Sequence, residues 1–195
     1  MERAYTLGLY EKAMPSDLTW REKLLAAKEA GFDFVEISID ETDAKLSRLD
    51  MTKEERLGLV RLMQETGVPI RTMCLSGHRK YPLGSSDPAV EARGIEIMEK
   101  AIRLAEDLGI RIIQLAGYDV YYEESTFETK KRFLANLKKA ADMAAKAGVT
   151  MGFETMENEF MNTVEKGNEV CDACRIAVSE RLSGYRKYHQ CGKDV

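Results

Sequence analysis

The sequence lacks any apolar run near the roughly 20 residues that a membrane-spanning helix needs. Residues 1–15 also lack the apolar core of a secretory leader. A soluble, cytoplasmic protein with no membrane partner is expected. There is no sustained basic stripe. The 29 Lys and Arg residues are outweighed by 33 Asp and Glu, for a net charge of −4, which argues against a nucleic-acid partner. Four cysteines in 195 residues are too few for a disulfide-stapled scaffold. A G-x-G-x-x-G turn is missing too. The first apolar segment continues as Thr6-Leu7-Gly8-Leu9-Tyr10-Glu11, so a dinucleotide-binding fold loses ground.

What is present is enough apolar material for one globular domain, 44% hydrophobic against 32% charged residues. Helix starts are legible. Thr19-Trp20-Arg21-Glu22, Thr52-Lys53-Glu54-Glu55 and Ser125-Thr126-Phe127-Glu128 read as capping boxes, and Asp87-Pro88 as an N-cap followed by proline at the first helical position. The helices they open run to Gly31, Gly67, Gly148 and Gly109 respectively, where glycine permits the left-handed terminal turn. These glycines are spaced by 36, 42 and 39 residues in chain order. After each comes a short apolar segment: Phe32–Ile39, Val68–Leu75, Ile110–Leu115 and Val149–Phe153, with Thr6–Tyr10 ahead of them all. A strand–loop–helix unit repeating at this interval predicts a parallel α/β sheet.

Alternation within the strands favours a barrel over an open doubly wound sheet. Thr150, Gly152 and Glu154 share one face, and Val149, Met151 and Phe153 the other. Small inward residues ending in a carboxylate suit a barrel mouth. The expected architecture is an incomplete (β/α)₈ TIM barrel of about five βα units, with two unpaired edges and an uncovered core. Chemistry in such folds sits at the carboxyl ends of the strands. There the sequence offers Tyr10, Glu36, His78 and Arg79, Gln114 with Tyr118, and Glu154. Glu154 is expected to carry function, because a carboxylate at a buried strand end needs a partner or a metal. Arg79 could grip a phosphate through its fork of donors. Cys74, between Met73 and Leu75, reads as a small buried side chain.

Several long runs resemble the L-ribulose-5-phosphate 3-epimerase family, whose members are also known as L-xylulose-5-phosphate 3-epimerase or hexulose-6-phosphate isomerase, among the xylose-isomerase-like barrels. The runs are Gly8-Leu9-Tyr10-Glu11-Lys12-Ala13, Gly31-Phe32-Asp33-Phe34-Val35-Glu36, Asp40-Glu41-Thr42-Asp43, Leu46-Ser47-Arg48-Leu49-Asp50, Met73-Cys74-Leu75-Ser76-Gly77-His78-Arg79 and Ile113-Gln114-Leu115-Ala116-Gly117-Tyr118-Asp119-Val120-Tyr121-Tyr122. The resemblance covers residues 5–166. It implies interconversion of L-ribulose 5-phosphate and L-xylulose 5-phosphate, in pentose or L-ascorbate breakdown. The implied partner is a small ketopentose phosphate, and the implied chemistry exchanges the proton at C3 through an enediolate. It also implies a divalent ion such as zinc or manganese, held by two Glu, an Asp and a His, of which Glu154 matches the first. Glu154 would then be both metal ligand and one of two opposed carboxylates that move the proton. Tyr10, Glu36, His78, Arg79, Gln114 and Tyr118 are the expected substrate-binding residues.

The remaining ligands belong to later strands of the family, so the chain is expected to hold an incomplete set and to be inactive or nearly so. Residues 1–166 read as the barrel segment and 167–195 as a tail foreign to it. That tail reads as out of frame. With freely chosen synonymous codons for residues 167–190, dropping one base yields a helix-and-strand segment of the kind the resemblance calls for. The missing Asp then straddles the codons of Gly184 and Tyr185. A rival reading of the tail is a zinc site of Cys171, Cys174, His189 and Cys191. A rival reading of the whole is a non-enzymatic module, a homodimer joined through the open sheet edges.

Overall fold

The computed structural model describes residues 4–174. Five strands, β1 (Gly8–Tyr10), β2 (Phe34–Ile39), β3 (Ile70–Leu75), β4 (Ile112–Ala116) and β5 (Thr150–Glu154), form one sheet. All neighbours are parallel and their spatial order is their chain order. A doubly wound sheet reverses its order at a switch point; this one never does, which is how a barrel grows. The crossovers carry α1 (Trp20–Glu29), the short α2 (Asp43–Leu46), α3 (Lys53–Thr66), α4 (Pro88–Leu108) and α5 (Phe127–Lys146); α6 (Val164–Ala173) follows β5.

Local chemistry explains the helix ends. Thr19 and Thr52 make reciprocal capping boxes with Glu22 and Glu55, and Asp87 caps α4 ahead of Pro88. Gly67 and Gly109 end α3 and α4 with φ of 75° and 74°, a region costly for any residue with a Cβ. One cap lies a residue later than the sequence suggests: Thr126, with Thr129 at the third position, caps α5. The strands begin one or two residues into the predicted apolar segments. The residue after each glycine is occupied in closing the helix; the N–H of Ile110, for example, returns to Ala105. α6 crosses residue 167, the expected start of the tail. Of the rival zinc pattern, Cys171 and Cys174 lie at the end of α6 with free thiols, while His189 and Cys191 lie outside the described residues.

The sheet's two faces differ sharply. The outer face, Val35, Ile37, Ile39, Met73, Leu75, Ile113, Leu115, Met151 and Phe153, is buried beneath the helices. Leu24, Ile97, Met98, Leu104 and Leu137 meet it with no exposed surface. Each such side chain contributes roughly 1.5–3 kcal/mol on burial. The inner face, Tyr10, Glu36, Thr72, Cys74, Gln114, Thr150 and Glu154, is half-buried and mostly polar. The expectation of an uncovered core is therefore not met. The hydrophobic core lies between sheet and helices, and what the open sheet leaves bare is a polar concave surface.

Candidate active site

Glu154 closes β5 on the inner face, and Gln114 stands on β4 beside it. Gln114 Nε2 donates to Glu154 Oε2 at 2.8 Å. Gly152 lies in register with Gln114, so no side chain intervenes between the two. A second carboxylate shares the face. Glu36, on β2, accepts from Thr72 Oγ1 at 2.7 Å across the β2–β3 pair. Burial raises the pKa of Glu36, and the charge of Glu154 adds to the rise against the opposing Thr72 bond. Two carboxylates thus face one concavity, and the charge of Glu154 reaches Glu36.

Tyr10 reaches over the same surface. Its hydroxyl lies 3.3 Å from Ser38 Oγ and donates to Cys74 Sγ at 3.6 Å. Burial pushes the phenol's pKa up, and pushes the Cys74 thiol to about 11. Cys74, which in the sequence reads as a small buried side chain, is a half-buried, neutral thiol of the inner face. Strand alternation, which puts it on the face of Gln114, was the signal that could have found it.

The residue after Tyr10 holds the rim. Glu11 is 1% exposed and accepts from Lys23 Nζ at 2.8 Å, Lys45 Nζ at 2.5 Å and both terminal nitrogens of Arg48 at 2.6 and 2.7 Å. The Ser38 N–H adds a fifth bond at 2.9 Å. Burial opposes ionisation, but these donors win and hold the carboxyl far below the usual carboxylate range. One side chain so ties β1, α1, β2, α2 and the turn Ser47–Asp50 together. Next to it Lys12 pairs with Asp40 at 2.7 Å.

The loops after β3 and β4 form the opposite rim. The Arg79 guanidinium stacks 4.8 Å above the Tyr121 ring, and Tyr121 meets Tyr118 edge-on with centroids 5.3 Å apart. Arg79 Nε and the Tyr118 hydroxyl are buried with no hydrogen-bond partner among the described residues. Burial raises the pKa of Tyr118, while the Arg79 charge opposes the rise. His78 takes another direction. It is 6% exposed, with Nε2 3.0 Å from the Gly94 carbonyl of α4, and burial depresses its pKa to about 4. It fastens the β3 loop to α4 as a neutral ring. The two loops are tied to each other by Glu123, which accepts from Ser85 Oγ at 2.5 Å and the Ser86 N–H at 2.8 Å.

The structure thus brings Glu36, Gln114, Glu154 and Tyr10 together on the inner face, stands Arg79 and Tyr118 at the rim, and turns His78 to α4. A parallel sheet in chain order with polar groups at its inner carboxyl ends is the architecture of barrel enzymes. The chain belongs to the xylose isomerase-like TIM barrel family, whose model matches residues 24–178.

It is 54% identical over 166 residues to the L-ribulose-5-phosphate 3-epimerase UlaE of Escherichia coli (strain SMS-3-5 / SECEC), covering 85% of this chain and 58% of that protein. The Shigella sonnei (strain Ss046) protein of the same name matches equally, at 54% over 166 residues. The chain therefore spans less than two thirds of the length of these relatives. Among solved structures, an L-ribulose 3-epimerase superposes with a TM-score of 0.70 at 25% identity, over 90% of this chain and 59% of that one. A D-psicose 3-epimerase determined in the presence of D-fructose superposes with a TM-score of 0.77 at 17% identity, over 91% of this chain and 62% of that one. These four relatives are named as epimerases, enzymes of the isomerase class.

Proposed function

We propose that this chain provides the substrate-binding wall and one proton-moving carboxylate of a sugar-phosphate 3-epimerase acting on L-ribulose 5-phosphate or L-xylulose 5-phosphate. The carrying observation is the Gln114–Glu154 pair on the concave face, in a chain 54% identical to an enzyme of that name. Gln114 holds Oε2 of Glu154 and so orients the carboxylate on the concave face. From there it can take or return the proton at C3, which is acidic because it neighbours the C2 ketone. Tyr10 and Gln114 can hydrogen-bond the sugar's hydroxyls. Arg79, its guanidinium fixed against Tyr121 and its Nε lacking an acceptor among the described residues, is the phosphate ligand, with the Tyr118 hydroxyl as a second donor.

The divalent ion implied by the family requires a converging set of ligands. Among the described residues no group of three or more His, Cys, Asp or Glu could hold a metal. Glu154 and Glu36 alone do not make that site. Inversion at C3 also needs a second carboxylate on the far side of the sugar, and both inner-face carboxylates here lie on one wall.

Calorimetric titration with L-ribulose 5-phosphate and with unphosphorylated L-ribulose, coupled to product analysis, tests the reading. Saturable binding that favours the phosphorylated sugar, lost on Arg79→Met, supports it. Equal affinity for both sugars removes Arg79 from the phosphate, and no saturable binding of either overturns the proposal. With added Mn²⁺ or Zn²⁺ the chain alone is expected to give no turnover; a rate like that of the Escherichia coli relative refutes the incomplete site. An aldose product would identify isomerisation through the 1,2-enediolate, formed by removing a proton from C1 rather than C3.

A further inference from the structure

Glu36 is the inner-face carboxylate that the proton transfer does not use. It stands in register with Tyr10 on one side and Thr72 on the other, one layer further from the mouth than Ser38, Cys74 and Gln114. Thr72 Oγ1 donates to its Oε2 at 2.7 Å, and Oε1 has no hydrogen-bond partner among the described residues. A carboxylate buried for structure is matched by cations, as Glu11 is by Lys23, Lys45 and Arg48. Glu36 has no ion pair among the described residues, and burial together with the charge of Glu154 raises its pKa. Its acceptor capacity is therefore left for the concavity.

Glu36 also lies between the two ends of the proposed substrate. Glu154 is placed at C3, and Arg79 with Tyr118 at the phosphate on C5. Cys74 interacts electrostatically with Tyr118, Glu36 and Glu154, so it is the common neighbour of the rim tyrosine and both carboxylates. C4, which joins C3 to C5, is carried across that point. The Tyr10 hydroxyl already donates to Cys74 Sγ, and a thiol is a weak acceptor, which leaves Glu36 Oε1 as the strong acceptor there. We propose, resting on the epimerase reading, that Glu36 determines specificity at C4: its Oε1 accepts the C4 hydroxyl of the L-configured ketopentose 5-phosphate while Thr72 holds Oε2. D-Xylulose 5-phosphate differs from L-ribulose 5-phosphate only at C4. Its hydroxyl points away from Glu36 and leaves the carboxylate unpaired under the bound sugar, which is how a site built to bond a hydroxyl rejects the wrong ligand.

The test titrates the full chain calorimetrically with L-ribulose 5-phosphate and with D-xylulose 5-phosphate. The wild type is expected to favour the L sugar by about tenfold or more, and Glu36→Leu to bind both within about twofold. Glu36→Gln keeps the Thr72 bond and an amide oxygen, so it is expected to retain part of the preference; should Glu36→Leu fail to fold, as judged by circular dichroism, this variant decides. A wild type without preference overturns the proposal. So does a preference that both variants keep, or a loss of affinity equal for the two sugars, which would make Glu36 a structural group. No saturable binding of either sugar by the wild type would instead remove the epimerase reading, and this assignment with it.

Discussion

Gln114 Nε2 and Glu154 Oε2 lie 2.8 Å apart across β4 and β5, over the gap that Gly152 leaves. The bond orients a carboxylate that is only half-buried, so water can replace the lost donor when Gln114 is removed. Gln114→Leu is expected to change stability by less than about 1 kcal/mol in urea unfolding. The same change is expected to weaken L-ribulose 5-phosphate binding by about fivefold, read by calorimetry. A large stability loss would make the pair a structural one.

Glu11 behaves differently because its surroundings are dry. Glu11→Ala strands Lys23, Lys45 and Arg48 in a site built around one anion. Removing one partner of a buried ionic cluster typically costs about 3–5 kcal/mol. Urea unfolding should register a loss of that order, whereas Arg21→Ala, at an exposed pair with Glu65, should fall below about 1 kcal/mol.

His78 predicts an acid-linked loss of stability. Its folded pKa of about 4 lies below the ordinary 6.5. Between those values the unfolded chain binds more protons than the folded one, so stability falls as pH drops through the window. The shift corresponds to roughly 3 kcal/mol. Urea midpoints measured from pH 7 to pH 4 should show the decline. His78→Gln, which keeps a donor for the Gly94 carbonyl, should flatten it between pH 6.5 and 4.5. The Glu11 contribution has its own window: it is present above about pH 4.5 and lost below it.

Gly94 marks the closest approach of α4 to the β3 loop. A Cβ there would stand 2.5 Å from the Tyr81 carbonyl oxygen, a backbone atom that cannot swing aside. Helix propensity favours Ala over Gly by about 1 kcal/mol, yet overpacking typically costs about 1–3 kcal/mol. Gly94→Ala is expected to destabilise on balance in urea unfolding, and Gly58→Ala, with open space around it on α3, to stabilise.

The βα rhythm was legible because its signals are local: a threonine or aspartate bonding an N–H two or three residues on, a glycine at the helix end, strand-length apolar segments between. Strand alternation likewise put Glu154 on the inward face of its strand, while the register of β4 against β5 is what stands Gln114 beside it. The short helix Asp43–Leu46 and the turn Gly77–Arg79 were not read as elements, since neither is long enough to show a period.

What the sequence by itself determined is the order of the five strands and the four long helices between them, and which face of the last strand carries its carboxylate, because both follow from bonds and spacings within a few residues. Only the tertiary structure decided that His78 closes on α4, that Glu11 gathers three cations from three separate segments, and that Arg79 rests on Tyr121. Those partners stand between 12 and 42 residues apart in the chain, and no local rule encodes which distant groups the packing of sheet and helices will bring within reach.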